Sequence, residues 1–383
     1  MTNVHELILN ELANSKACHV DRFPPWYNFS IGAHLFNIHN KTTHTYFEAR
    51  RIPDTRLHIL FVAPPGGEKT FWQEQYLRGE QALLLDSGID TGWTGTLTEA
   101  GFVGTIRFEE GESKTTPGLC MRKQNAIVGI EEFAAVSEAM RAEYAKTLDP
   151  ALLSALDSGF VYKDLAAGPL EYETHLTLWT GTQPARFDLR GGMGRRFLFI
   201  YFIPTVKDWR EITEARRRSK NIKYNPIQTD VIRKELPRLI QQLKTIERVE
   251  WDLDVYKFYD EMKFLPYEEQ LYDRILIGYH VMTGRFDSVL YIKLDDYILT
   301  FLKKEAYYRD TIRRGSEFAE VLLILREHGG KMPLFELKDE LLAFGKDWQQ
   351  SAKLLDDLTH IRAIKRTPDN FIELSVQLRE NQG

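Results

Sequence analysis

Cysteine is scarce: Cys18 and Cys120 are the only two in 383 residues. Two thiols cannot build a disulfide framework, and neither stands in a Cys/His metal-ligand spacing. Both read as ordinary thiols, which suits a reducing cytoplasm. Long apolar runs are also missing. No stretch of about 18 apolar residues occurs, so a membrane span is not expected. Residues 1–16 carry Glu6 and Glu11 and no signal-peptide pattern. They read as an amphipathic helix with Val4, Leu7, Ile8 and Leu12 on one face. Internal repeats and low-complexity tracts are absent. No one sign of charge dominates: the formal net charge is −5. That excludes indiscriminate attraction to nucleic acid and leaves any such contact to local basic patches.

What is present is the composition of a soluble globular chain, 43% apolar and 27% charged, long enough for two or three domains. Residues 18–56 are rich in aromatics and histidine (Phe23, Trp26, Tyr27, Phe36, His39, His44) with only short strand-like runs. They suit core packing first, and wrapping of a planar base second. From Leu57 onward, apolar runs alternate with helix-compatible segments, which argues for an α/β fold. Expected strands are Leu57–Val62, Ala82–Asp86, Ala126–Ile130, Leu176–Thr180 and Phe197–Ile203, with an exposed hairpin or loop over 108–116 and a helix over 133–147. Helices are expected over 230–247, 255–264, 267–283 and 294–309. The run Arg216-Arg-Arg-Ser-Lys220 with Lys223 reads as a solvated face before it reads as a DNA contact. Residues 315–379 divide into three helices and a final hairpin turning at Thr367–Asn370, a pattern that fits a winged helix-turn-helix. Its candidate DNA contacts are Lys346, Gln349, Gln350 and Lys353 on the third helix, with Lys365 and Arg366 on the wing.

The most informative stretch is Leu57-His-Ile-Leu-Phe-Val-Ala-Pro-Pro-Gly-Gly-Glu-Lys-Thr70. An apolar run, a Pro/Gly-rich turn, then lysine and threonine opening a helix is the context in which a P-loop holds a nucleoside triphosphate. The loop Pro65–Glu68, through the N–H groups of Gly66, Gly67 and Glu68, and the helix start would cradle phosphates, Lys69 would reach the β/γ-phosphates, and the Thr70 hydroxyl would ligate Mg2+. The pattern G-x-x-x-x-G-K-[ST] wants glycine where this chain has Ala63 and Glu68. A carboxylate at 68 opposes the close approach of phosphate. Hydrolysis also needs acids at a strand end. Ala126–Ile130 runs into Glu131, which would hold the metal, and Glu132, which would be the general base. Gln183, after a later strand, would orient the attacking water. Arg196, just before the next strand, has the fork geometry to stabilise phosphoryl-transfer charge.

In this order the features resemble an AAA+ ATPase, and most closely the minichromosome maintenance (MCM) helicases and the MCM-like proteins of mobile elements and viruses. The resemblance rests on Asp90–Glu99, the 108–118 stretch, Ile127-Val-Gly-Ile-Glu-Glu-Phe133, Thr180–Asp188 and Arg195-Arg196-Phe197, and covers residues 57–309. It implies an N-terminal helix and extension (1–56), an AAA+ α/β core (57–204), a helical lid (205–313) and a winged-helix domain (314–383). It implies ATP and Mg2+ as cofactors, DNA as partner, a homo-oligomeric and hexameric ring, no membrane, and a cytoplasmic or nucleoid-associated setting. Arg196 would act as a finger in the neighbour's site, Arg274 would match the lid arginine that reads the γ-phosphate, and Lys114 would grip DNA from a channel-facing hairpin. The chain departs from the family at Glu68, Glu131 (usually Asp) and Gln183 (usually Asn), and lacks its N-terminal DNA-binding and zinc domains. Glu131 and Gln183 keep the chemistry with one more methylene each. Glu68 leaves a second reading open, a nucleotide-responsive DNA-binding initiator or regulator with a degenerate ATPase site.

Overall fold

The computed structural model describes residues 2–15, 17–40, 54–95, 98–109, 112–133, 148–157, 159–183, 196–202, 204–220, 226–314, 319–343, 347–360 and 363–375. Helices α1 (Val4–Asn14) and α2 (Pro24–His39) precede strand β1 (His58–Val62), and α3 (Lys69–Leu77) follows it. Next come β2 (Thr91–Thr94), a hairpin of β3 (Gly104–Glu109) and β4 (Glu112–Pro117), and β5 (Ile127–Ile130). A second hairpin of β6 (Phe160–Leu165) and β7 (Gly168–Glu173) leads to β8 (Thr177–Thr182) and β9 (Phe197–Tyr201). Five of these strands form one sheet in the order β2-β5-β8-β1-β9, every neighbouring pair parallel. All five therefore end on one edge, the edge where open α/β sheets hold ligands.

Alternation along the strands divides the core in two. Ile59, Phe61, Trp179, Leu198 and Ile200 join α1, α2 and α3 on one face. Leu60, Val62, Val128, Leu178 and Phe199 join the C-terminal helices on the other. Strands covered on both sides need apolar residues at every position, which is why they read as unbroken apolar runs.

Two expectations fail here. Ala82–Asp86 is a turn, not a strand; the sheet's edge strand is the more polar Thr91–Thr94. Ala82, Leu83 and Leu84 are buried, and the N–H groups of Leu83 and Leu84 bond to the carbonyls of Gln75 and Tyr76 at the end of α3. The apolar run gains its burial without a ladder. Residues 18–56, read as short strand-like runs, contain α2, started by Pro24 and Pro25 and buried from Pro24 to Asn37. A helix buried on all sides has no polar stripe to betray its period.

Helix α2 crosses the helix Pro266–Met282 with almost no gap. A Cβ on Gly278 would lie 1.9 Å from the Phe29 carbonyl oxygen, and one on Gly32 would lie 2.2 Å from the Gly278 oxygen. Only glycine at both positions permits this approach. The surrounding region is largely helical as expected: Val206–Ser219, Pro226–Leu243, Leu253–Met262 and Asp296–Arg314. It also holds a parallel strand pair, Arg248–Trp251 with Val289–Ile292, too short to register as a pattern. The C-terminal part comprises helices Ala319–Glu327, Leu334–Ala343 and Trp348–His360 and an antiparallel sheet of Lys331–Pro333, Phe371–Leu374 and Ile364–Arg366. Among the described residues no helix is long and apolar enough to cross a membrane.

Candidate functional site

The chain leaves β1 at Val62 and turns through 63–68 into α3. Gly67 N–H donates to the Pro64 carbonyl at 3.0 Å, closing the turn. A Cβ on Gly67 would stand 2.8 Å from Ala63 Cβ, so this position requires glycine. Gly66 has φ +81° and Glu68 φ +64°, both left-handed. Glu68 thus adopts the backbone that the glycine of the motif would take, at about 1–2 kcal/mol for a side-chain-bearing residue.

The Glu68 carboxylate is engaged inside the chain. Cys18 Sγ donates to Oε1 at 3.1 Å, and His19 Nδ1 lies 3.0 Å from Oε2. His19, itself at φ +56°, stacks edge-on against Phe23 and Phe202. Its Nε2 faces Asp208 Oδ1 at 3.3 Å and Glu211 Oε2 at 3.4 Å. Burial by itself lowers the His19 pKa, but the neighbouring Asp208 and Glu68 carboxylates and the Cys18 thiol outweigh it and raise the value to about 11. For Asp208, burial raises the pKa, and the adjacent His19 together with the bonds from Thr205 drives it well below the carboxylate range. The acid that looked misplaced in the sequence has an imidazole and a thiol beside it.

Lys69 opens α3 and is buried, its Nζ donating to Ala63 O at 2.6 Å and Pro64 O at 3.2 Å. Burial lowers its pKa and the charge of Glu132 opposes that shift. Glycine at 181 in β8 makes room, since a Cβ there would be 3.2 Å from Lys69 Cβ. Thr70, half-buried, follows in the first turn. The end of β8 is tied to the turn by Ala63 N–H donating to Thr182 O at 3.1 Å, and half-buried Gln183 comes next. Exposed Glu131 and half-buried Glu132 stand at the end of β5, Glu131 N–H donating to Thr94 O at 3.2 Å. Lys69, Thr70, Glu131, Glu132 and Gln183 therefore gather on the carboxyl edge of three adjacent strands, β5, β8 and β1.

The two arginines do not join them. Arg196 precedes β9 at the opposite edge, buried, with Nη2 donating to Asp157 Oδ2 at 2.9 Å and Nε to Leu153 O at 3.2 Å. Arg274 is buried in the helix Pro266–Met282, and its Nε has no hydrogen-bond partner among the described residues. Burial lowers its pKa; Asp54 and Asp157 oppose this and Arg56 adds to it. Arg56, fully buried, donates from Nη2 to Ala155 O at 2.9 Å and pairs with Asp54. Asp157, Cys18, His19 and Asp208 were not anticipated as site residues. For Asp208 the only signal is its place three residues after Thr205, where the two form a capping box.

Lys114 is exposed on β4, opposite Arg107 in register, and the two hairpins meet where Ser113 Oγ donates to Ala167 O at 3.0 Å. Lys353 is exposed on Trp348–His360, but so are Asp356 and Asp357, which weaken any attraction of that helix to phosphate. Lys365 and Arg366 are exposed on the outer strand, Arg366 Nη2 donating to Asn370 Oδ1 at 2.9 Å. Arg216, Arg217, Arg218 and Lys220 are exposed where their helix ends, a favourable end for cations. Lys346, Lys223, residues 191–195 and most of the helix expected over 133–147 lie outside the described residues. No protein-family model matches the chain, and no curated protein does.

Proposed function

We propose that the chain is an MCM-like AAA+ ATPase, a DNA translocase or helicase of replication assembled as a hexameric ring. The observation that carries this reading is the strand order. With β5, β8 and β1 side by side, a lysine, an amide and two carboxylates line one edge, while Arg196 and Arg274 lie at the other. In this reading Arg196 serves the site of a neighbouring copy rather than that of its own chain, as a ring would arrange. The residues at the turn fit a magnesium nucleotide: a glycine-lined bend, a buried lysine, nearby carboxylates, and at Thr182 a buried hydroxyl without a partner among the described residues. Bound MgATP would supply the phosphoryl group whose hydrolysis drives movement. Gly66, Gly67 and Glu68 would hold phosphates through their backbone N–H groups, with Pro65 shaping the turn, and Lys69 would hold them through its charge. Thr70 and Glu131 would hold Mg2+, Glu132 would take the proton of the attacking water, and Gln183 would orient that water. The hairpin bearing Lys114 and the winged-helix-like unit bearing Lys353, Lys365 and Arg366 would meet DNA.

The test is an ATP titration monitored for binding and particle size, followed by ATPase assays with and without DNA. Lys69→Ala abolishes DNA-stimulated turnover and Arg196→Ala lowers it; equal rates in wild type and Lys69→Ala refute the reading. A second reading, a nucleotide-responsive DNA-binding initiator or regulator, is favoured by Glu68 and by the engagement of Lys69 with the carbonyls of its own turn. It calls for DNA binding that survives without ATP, negligible turnover, and nucleotide affinity that rises in Glu68→Gly.

A further inference from the structure

We propose that His19, Asp208 and Glu211 form a site for a divalent cation of the zinc class, seated against the outer side of the turn 63–68. The ring of His19 is held by Glu68 Oε2, 3.0 Å from Nδ1. With the Nδ1 proton donated to that carboxylate, Nε2 is left to face Asp208 Oδ1 at 3.3 Å and Glu211 Oε2 at 3.4 Å. Nε2 is buried and makes no hydrogen bond among the described residues, and the side chain of His19 is only 7% exposed. Such separations are those between ligands that share one ion at about 2.0–2.2 Å from each.

The two carboxylates sit three residues apart on the helix Val206–Ser219, so they project from one face. Asp208 spends Oδ2 on the N–H of Thr205 at 2.7 Å and its hydroxyl at 2.8 Å, which leaves Oδ1 for the ion. Arg22 lies 3.6 Å from Asp208 Oδ1, but its Nη2 is held by Glu327 Oε2 at 3.0 Å; Lys207 lies 3.8 Å from Glu211 Oε1 on an exposed stem that can turn aside. A histidine that binds metal through one nitrogen usually donates the other N–H to a carboxylate. Here that carboxylate belongs to Glu68. One imidazole and two carboxylates with open positions suit Zn2+ better than Ca2+ or Mg2+, which favour oxygen alone. Any proton on Nε2 leaves to solvent as the ion enters. Occupancy would tie residues 17–23, the helix Val206–Ser219 and the turn together, with Glu68 turned towards His19. None of the three ligands is among the residues assigned to phosphate, so the proposal stands apart from the nucleotide reading.

The test is calorimetric titration of Zn2+ into the full chain after removal of metals with EDTA, with thermal unfolding run in parallel. Wild type binds one ion per chain and its unfolding midpoint rises with Zn2+. Glu211→Gln, at a side chain 42% exposed, keeps the fold by circular dichroism, binds at least tenfold more weakly, and loses the midpoint rise. Cys18→Ser binds as wild type does. Absence of one-site binding in wild type, unchanged binding in Glu211→Gln, or loss of binding in Cys18→Ser each overturns the proposal; the last would put the ion on the Cys18 side of the ring.

Discussion

Replacing Gly278 by alanine separates two opposite outcomes. Within a helix, Gly→Ala ordinarily stabilises by about 1 kcal/mol, because glycine loses more backbone freedom on folding. At 278 the added methyl would sit 1.9 Å from the Phe29 carbonyl oxygen and 2.7 Å from its carbon. Both atoms are backbone in the middle of α2, so no side chain can swing away. The helices must part by more than about 1 Å, and a gap of that size forfeits a quarter to a half of each contact's dispersion energy. The contacts at stake include Phe29, Ala33, Ile275 and Met282, all buried. Overpacking costs about 1–3 kcal/mol in general, and two rigid backbone neighbours put this case at the upper end. After the helix-propensity gain, a net loss of about 2 kcal/mol remains. Urea unfolding followed by circular dichroism reads it as a lower midpoint at unchanged slope. A midpoint equal to or above wild type would refute the close crossing, since the propensity gain would then stand unopposed.

Other tests follow from named contacts. Asp273 is half-buried and accepts from the Tyr259 hydroxyl at 2.9 Å; desolvation, partly opposed by that bond, raises its pKa from 3.8 to about 7. Between those values the folded chain holds one proton more than the unfolded, so this group's contribution falls as pH rises through the window and is flat above about 7. Asp273→Asn should remove up to about 1.4 kcal/mol per pH unit of slope between pH 5 and 7, and an identical pH–stability curve in the variant contradicts the assignment. Asp157→Asn breaks the pair with Arg196, whose partner is 42% exposed, for about 1 kcal/mol or less of stability. In the ring reading it loosens the hold on the arginine, whose Nε still donates to Leu153 O, and raises ATPase activity of mixed assemblies; an activity equal to that of Arg196→Ala argues against the finger. Glu68→Gly relieves about 1–2 kcal/mol of left-handed strain while stripping His19 of a partner, so stability changes little and nucleotide affinity rises. Unchanged affinity in a fluorescent-nucleotide titration would show that the carboxylate never faced the phosphates.

The sequence by itself determined the strands with two covered faces, because burial on both sides demands unbroken apolar runs such as His58–Val62 and Phe197–Tyr201. It also determined the bend after β1, where Gly66, Gly67 and Lys69 follow an apolar run at close spacing, and the acids at the end of β5. Helix boundaries in 253–309 were legible to within a few residues from their period. Only the tertiary structure decided the rest. The order β2-β5-β8-β1-β9 joins strands far apart in the chain, and no local pattern encodes which neighbour a strand takes. The helix α2 hid because packing on every side erases the polar stripe, and Ala82–Leu84 misled because burial in a turn looks the same as burial in a strand. The place of Arg196 and Arg274 in the chain did not show that they stand away from Lys69 in the fold, beside Asp157 and Arg56. Glu68 looked like a defect until Cys18 and His19, distant in sequence, closed on its carboxylate: which groups meet a carboxylate is a matter of distance in space, which residue spacing does not carry.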